Sequence, residues 1–161
     1  MNFKGHVREI HGADVDPVVK ENPNLDEAFL LEDDDLNPVK SGHYDLVFSC
    51  NVLEHIEKPD AFLAGVKRVL KPGGLFMFKT PNKYHYVAIA ASLTPHSFHE
   101  WINEKRGRAS EHTFPTFYRM NSRGDLKSLA SDADMKIEEL KMIEGRPEYL
   151  RFNAVTYACG L

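Results

Sequence analysis

In three places, polar or acidic side chains follow directly on an apolar run, and a histidine follows the last of them. Asp14 ends the run at residues 7–14. Glu32, Asp33, Asp34 and Asp35 come after Leu30 and Leu31. Ser49, Cys50 and Asn51 close a run containing Leu46, Val47 and Phe48, with His55 just beyond. A carboxylate at a strand end can accept both hydroxyl protons of a ribose, a bidentate contact that a neutral side chain cannot match. Asp14 could instead cap a helix at Pro17, although Asp16 is better placed for that, and on spacing alone the two readings weigh the same. Each acid of the run at 32–35, read singly, is a solvated loop residue. The sharper reading has Asp33 or Asp34 accept the exocyclic amine of an adenine while a neighbouring backbone amide donates to the ring. A calcium loop is poorly supported, because the alternating acids, central glycine and twelfth-position glutamate are missing from Asp33 onward. His55, a histidine beyond a buried strand, can serve as a general base. It can equally be a packing residue at a helix start.

A second group of polar side chains lies between residues 84 and 118, where Tyr84, His85, Tyr86, His96, Phe98, His99, Trp101, Phe114, Phe117 and Tyr118 are concentrated. Side chains that combine apolar area with polar tips suit a small or lipid-like ligand with an apolar body. His96 and His99 share a helix face and could bind zinc with Glu111 or His112. Lining of a substrate pocket, or an ordinary amphipathic surface, ranks above that, and no metal site is expected.

The elements that must position these residues follow from the apolar pattern. Residues 7–14 read as a strand. Tyr44–Cys50 reads as one buried on both faces, which is typical of parallel sheets. Pro59 and Asp60 start a helix whose Phe62, Leu63, Val66, Val69 and Leu70 recur at helical spacing. Lys71, Pro72, Gly73 and Gly74 stop it, and a strand resumes over residues 75–80. Ser122 can cap a helix carrying Leu126, Leu129 and Ala130, and residues 136–143 read as a weaker strand. Alternating strands and helices imply an α/β architecture.

The chain has 161 residues, 42% of them hydrophobic, which suits one buried core and hence a single domain. A net charge of -4 removes the basic footprint of sequence-independent nucleic-acid binding, although Lys105, Arg106 and Arg108 form a local basic patch. No nucleic-acid partner is expected. The two cysteines, Cys50 and Cys159, show no metal-like or disulfide spacing, which suits a reducing compartment, with the cytoplasm as the default. Charged residues interrupt the first fifteen positions and no apolar stretch approaches bilayer length, so neither a signal peptide nor a membrane span is expected.

In order and spacing, four features together resemble the class I S-adenosylmethionine-dependent methyltransferase family. They are Asp14, the acids at 32–35, Tyr44-Asp45-Leu46-Val47-Phe48-Ser49-Cys50-Asn51-Val52-Leu53-Glu54-His55-Ile56 and Arg68-Val69-Leu70-Lys71-Pro72-Gly73-Gly74. Thr80-Pro81-Asn82, Thr113-Phe114-Pro115-Thr116 and Glu144-Gly145-Arg146-Pro147-Glu148-Tyr149-Leu150 are similar to a bacterial subgroup. The resemblance covers nearly the whole chain. It implies a Rossmann-like, doubly wound, mostly parallel sheet with flanking helices, and a methyl group delivered by S-adenosylmethionine. It further implies that Asp14 holds the cofactor ribose, Val15 packs on adenine, and Asp33 or Asp34 marks the adenine edge. Ser49, Cys50 and Asn51 would floor the pocket, and His55 would face the methyl donor. Tyr86, His96, His99 and Tyr118, in a helical insertion at 83–121, would contact a small-molecule acceptor. The chain departs from some quinone-pathway O-methyltransferases, which place a metal-binding glutamate where Asn51 stands, so a metal-assisted mechanism of that kind is not expected.

A glycine-rich turn should precede the acidic ribose ligand by roughly 20 residues. Thirteen residues precede Asp14, and Gly5 and Gly12 do not form the pattern. The first strand and its glycine loop are therefore expected upstream of Met1, which makes residues 1–161 a partial domain. The apolar stretch at Gly160 and Leu161 points to an early end as well. Two function classes follow: an enzyme, or a degenerate methyltransferase-like module that binds a partner without transferring a methyl group. A nucleotide-binding module unrelated to methyl transfer would share Asp14, but it has no use for the Leu-Glu-His-Ile and Lys-Pro-Gly-Gly segments.

Overall fold

The computed structural model describes residues 3–84 and 114–143. Strand β1 (His11–Asp14) pairs in parallel with β2 (Glu27–Leu30), setting Asp14 opposite Leu30. Between them runs a short 3-10 helix, Pro17–Glu21, capped by Asp16, whose carboxylate accepts from the Val18 N–H at 2.9 Å. The strand expected from residue 7 starts only at His11. Ile10 spends both backbone groups on Asp26: its N–H donates to the Asp26 carboxylate at 2.8 Å and its carbonyl accepts from the Asp26 N–H at 2.7 Å.

Strands β3 (Tyr44–Cys50) and β4 (Leu70–Lys79) form a second parallel pair, connected by a crossover that carries helix α1 (Pro59–Val69). Helix α1 begins at Pro59, as its sequence dictates, and buries Phe62, Leu63, Gly65, Val66 and Val69 along one stripe. Strand β4 starts earlier than expected. Leu70 already pairs with Tyr44, and pairing resumes at Leu46 with Leu75, so Lys71, Pro72, Gly73 and Gly74 bulge out of register. Gly73 turns the bulge at φ +78, and a Cβ at Gly74 would stand 3.0 Å from the Lys71 carbonyl oxygen and 3.1 Å from that of Tyr44.

The core gathers α1 with Leu36, Val39, Leu53, Ile56, Leu70 and Met120, and Tyr44, Val47, Phe76 and Phe78 pack on it from one face of the β3–β4 pair. On the opposite face Leu46, Phe48, Leu75 and Met77 are about half exposed. Among the described residues, then, the apolar run of β3 is covered on one side only. Helix α2 (Arg123–Asp132) packs against α1, with Ser122 accepting from the Asp125 N–H at 3.1 Å as its sequence predicts. Lys67 of α1 donates to the Ala133 carbonyl at 2.9 Å, satisfying the C-terminal end of α2. Residues 136–143 form no strand. Their charges pair locally, Lys136 with Glu138 and Lys141 with Glu139, and Ile143 is exposed.

Contacts at both ends show that the two strand pairs run the same way. At the N-terminal ends His11 Nδ1 lies 2.8 Å from the Tyr44 hydroxyl, and His43 Nε2 lies 3.0 Å from Glu9. The His43 hydrogen bond lowers the Glu9 pKa, and that from Lys40 lowers the Glu27 pKa. Burial, then the charges of Glu27 and Glu9, pushes the Tyr44 phenol up. At the C-terminal ends the loop after β2 reaches the chain just before α1. The described residues thus hold two small parallel sheets rather than one continuous one. Among them no helix is long and apolar enough to cross a membrane.

Two glycine substitutions should have opposite signs in urea denaturation. A Cβ at Gly65 would lie 3.1 Å from the Leu36 backbone nitrogen, which cannot retreat because the Leu36 carbonyl is held by Arg68 and by the Val39 N–H. Gly65→Ala should therefore cost about 1–3 kcal/mol, the usual overpacking penalty. Gly124 in α2 meets nothing closer than Ser122 Oγ at 3.8 Å. Gly124→Ala should stabilise by about 0.4–1 kcal/mol.

Candidate active site

Asn51 takes the chain out of β3 with a left-handed backbone, φ 56, a conformation asparagine tolerates, and its N–H donates to the Lys79 carbonyl at 2.8 Å. The short 3-10 helix Leu53–His55 follows, with Leu53 fully buried beneath it. Glu54 is only 6% exposed. Its carboxylate accepts from the Thr80 hydroxyl at 3.1 Å, and Thr80 Oγ1 in turn accepts from Asn121 Nδ2 at 2.6 Å. The same amide donates to the Pro81 carbonyl at 3.0 Å. This chain of buried polar groups, each paired, ties the exits of β3 and β4 to the start of α2.

His55 sits beside it, partly buried. Its Nδ1 lies 2.8 Å from the Pro115 carbonyl, and Phe114 meets the ring edge-on at 6.2 Å between centroids. A carbonyl only accepts, so Nδ1 carries the proton and the lone pair of the neutral ring is on Nε2. The ring is thus oriented by the Pro115 carbonyl and Phe114. Tyr118 has φ 53 and donates its N–H to the Glu54 carbonyl at 3.2 Å. Burial, then the charge of Glu54, pushes its phenol up.

The other residues singled out from the sequence lie at the same ends of the strands. Asp14 is exposed, and its Oδ1 accepts from the Asp16 N–H at 3.0 Å, which fixes the carboxylate and leaves its other oxygen open. Val15 beside it is exposed. Asp33 is exposed as well, whereas Asp34 faces the protein and accepts from the Glu57 and Lys58 N–H groups, both at 2.8 Å. The Ser49 hydroxyl is buried and has no partner among the described residues, and Cys50 is an exposed thiol. Tyr86, His96, His99, Glu111 and His112 lie outside the described residues, as does most of the insertion expected at 83–121. Of that insertion, residues 83–84 and 114–121 are described and are not helical.

Residues 2–140 match the family described as methyltransferase domain. The chain belongs to the class I methyltransferase-domain family. Among similar proteins is a ubiquinone biosynthesis O-methyltransferase of Burkholderia orbicola (strain MC0-3), 30% identical over 115 residues that make up 69% of this chain and 44% of that protein. Another, with the same name, from Nitrosococcus oceani, is 32% identical over 78 residues, 42% of this chain and 33% of that protein. An uncharacterized protein of Mycobacterium tuberculosis (strain ATCC 25618 / H37Rv) is 43% identical over 44 residues, 27% of this chain and 15% of that protein. The chain spans less than half the length of these curated relatives.

In this methyltransferase domain, sequence reasoning passed over Glu54, Thr80, Asn121 and the Pro115 carbonyl as working parts. Glu54 and Thr80 stand in motifs that drew notice for other reasons, and Asn121 carries no signal in its neighbours. The structure also separates the two central acids of the run. Asp34→Ala should lower stability by about 0.5–2 kcal/mol, as loss of a helix-start acceptor does. Asp33→Ala should leave it within about 0.5 kcal/mol of wild type. Equal effects of both substitutions on the urea midpoint would refute this division of roles.

Proposed function

We propose that the chain carries the cofactor and base side of an S-adenosylmethionine-dependent O-methyltransferase acting on a small-molecule hydroxyl. What supports this reading is that Asp14, Asp33, Ser49 and His55 each lie at or just beyond the carboxyl end of a strand in one of the two parallel pairs. That is where doubly wound sheets bind ligands, and such a sheet is the architecture proposed for the whole domain.

The residues present fit the cofactor. The open oxygen of Asp14 suits a ribose hydroxyl, the exposed Val15 offers apolar surface to a purine, and Asp33 suits an exocyclic amine. The unpartnered Ser49 hydroxyl is a polar group in want of a ligand, beside Cys50 and Asn51 on the pocket floor. When bound, the cofactor supplies an electrophilic methyl on a sulfonium. His55 Nε2 would accept the proton of the acceptor hydroxyl, and Asp14 and Asp33 would hold and align the donor half. Tyr118 is the described residue proposed for the acceptor side; Tyr86, His96 and His99, proposed for it from sequence, lie outside the described residues. The names of the Burkholderia and Nitrosococcus relatives favour oxygen as the atom methylated.

Isothermal titration with S-adenosylmethionine should show Asp14→Ala binding more weakly by about 1.5–3 kcal/mol, the worth of a charged hydrogen bond. Unchanged affinity would remove Asp14 from the site. In transfer of labelled methyl to a panel of small phenols and alcohols, His55→Ala should slow turnover roughly 100- to 10,000-fold with cofactor affinity intact. A rate within a few-fold of wild type would reduce His55 to packing.

A further inference from the structure

We propose that residues 114–118 are a strap that sets the tautomer of His55, holding its proton on Nδ1 so that the lone pair stays on Nε2. The inference rests on the reading of His55 as the base, but its geometry stands apart from it. The strap is fastened on both sides of the histidine. Before it, the Glu54 carbonyl accepts from two successive strap amides, Phe117 at 2.8 Å and Tyr118 at 3.2 Å. After it, the Glu57 carbonyl accepts from Arg119 Nη1 at 2.6 Å, and the Arg119 guanidinium lies 5.6 Å from the Phe117 ring centroid. Between these fastenings the Pro115 carbonyl faces Nδ1 at 2.8 Å. Met120 and Asn121, each 1% exposed, anchor the downstream end in the core.

An unconstrained histidine side chain in water prefers its proton on Nε2, the tautomer that would leave the base with its lone pair on the wrong nitrogen. One neutral hydrogen bond of ordinary strength shifts such a ratio by about fivefold, and an acceptor locked in place shifts it further. Glu54, Glu57 and Lys58 are the ionisable neighbours on the histidine's own stretch, Tyr118 is the one on the strap, and Arg119 follows it directly. The Glu54 carboxylate is spent on Thr80, and Asp34 on the amides of Glu57 and Lys58. Among the described residues no carboxylate competes with Pro115 for the ring. The strap also forms the returning stem of the segment that leaves at Tyr84, so whatever shifts that stem would shift the base.

The test is nitrogen NMR on the full chain labelled with 15N-histidine, with His55 assigned by its loss in His55→Gln. At high pH Nδ1 should show a protonated-type resonance and Nε2 an unprotonated-type one. On acidification Nε2 should be the nitrogen whose resonance moves. Phe117→Pro removes one of the two amides donated to Glu54 and should shift His55 toward the Nε2-protonated form, whereas Phe117→Leu keeps the amide and should keep the wild-type pattern. If Phe117→Pro does not fold, Pro115→Gly, which frees the carbonyl from the proline ring's fixed φ, should shift the ratio the same way. A wild-type His55 protonated on Nε2, or an unchanged ratio in the folded strap variants, would overturn the proposal. The expected pattern together with full methyl transfer by His55→Gln would sink the base assignment and leave the strap.

Discussion

Helix α1 and the loop after β2 approach so closely at Gly65 that a Cβ there would press on the Leu36 backbone nitrogen at 3.1 Å, and much of the arrangement depends on that contact. The loop backbone lies against the helix at Leu36 and is gripped by Arg68, which donates to the Leu36 carbonyl at 2.6 Å, the Val39 carbonyl at 2.9 Å and Ser41 Oγ at 2.6 Å. With the loop so fixed, Asp34 meets the amides that precede the helix. The two strand pairs are thereby locked parallel at their C-terminal ends, while the His11 to Tyr44 contact does the same at the opposite ends. A planar guanidinium serves here because its fork reaches several carbonyls at once, which an ammonium on a flexible stem does less well.

Sequence patterns revealed the parts of the fold that rest on local rules. Helix α1 begins at Pro59 with the expected apolar stripe, and Ser122 caps α2, because proline at a first turn and serine at a cap act through their own backbone neighbourhood. Elements that need a partner were harder to read. Residues 136–143 look strand-like in isolation, yet a strand exists only where another lies beside it, and β1 loses its first residues because Asp26 claims Ile10. The Lys-Pro-Gly-Gly stretch reads as a stop, and in three dimensions it is a bulge inside a strand that has already begun.

The proposed site depends on signals of a similar depth. Asp14, Ser49 and His55 stand out because they follow apolar runs, a one-dimensional signal. What distinguishes Asp33 from Asp34 is which way each faces, and that is decided by α1, two elements away. Asn121 and the Pro115 carbonyl are invisible in sequence for a simpler reason: a buried amide and a backbone oxygen gain meaning only from what they touch. Glu54 shows the same limit, since nothing in its spacing announces that its carboxylate turns inward to Thr80 rather than outward.

Lys83 and Asn121, which flank residues 85–113, meet closely. The Lys83 N–H donates to the Asn121 carbonyl at 2.8 Å, the Asn121 amide holds Pro81, and Lys83 Nζ lies 2.6 Å from Asp125. A chain excursion whose ends are already pinned together costs the fold little more when it grows, about 0.6 kcal/mol for each doubling of its length. Residues 85–113 are therefore a place where evolution can exchange one length or composition for another while the strands, the helices, residues 114–121 and the Glu54 network stay as they are. A replacement of that stretch would need to match only the two stems at Lys83 and Asn121.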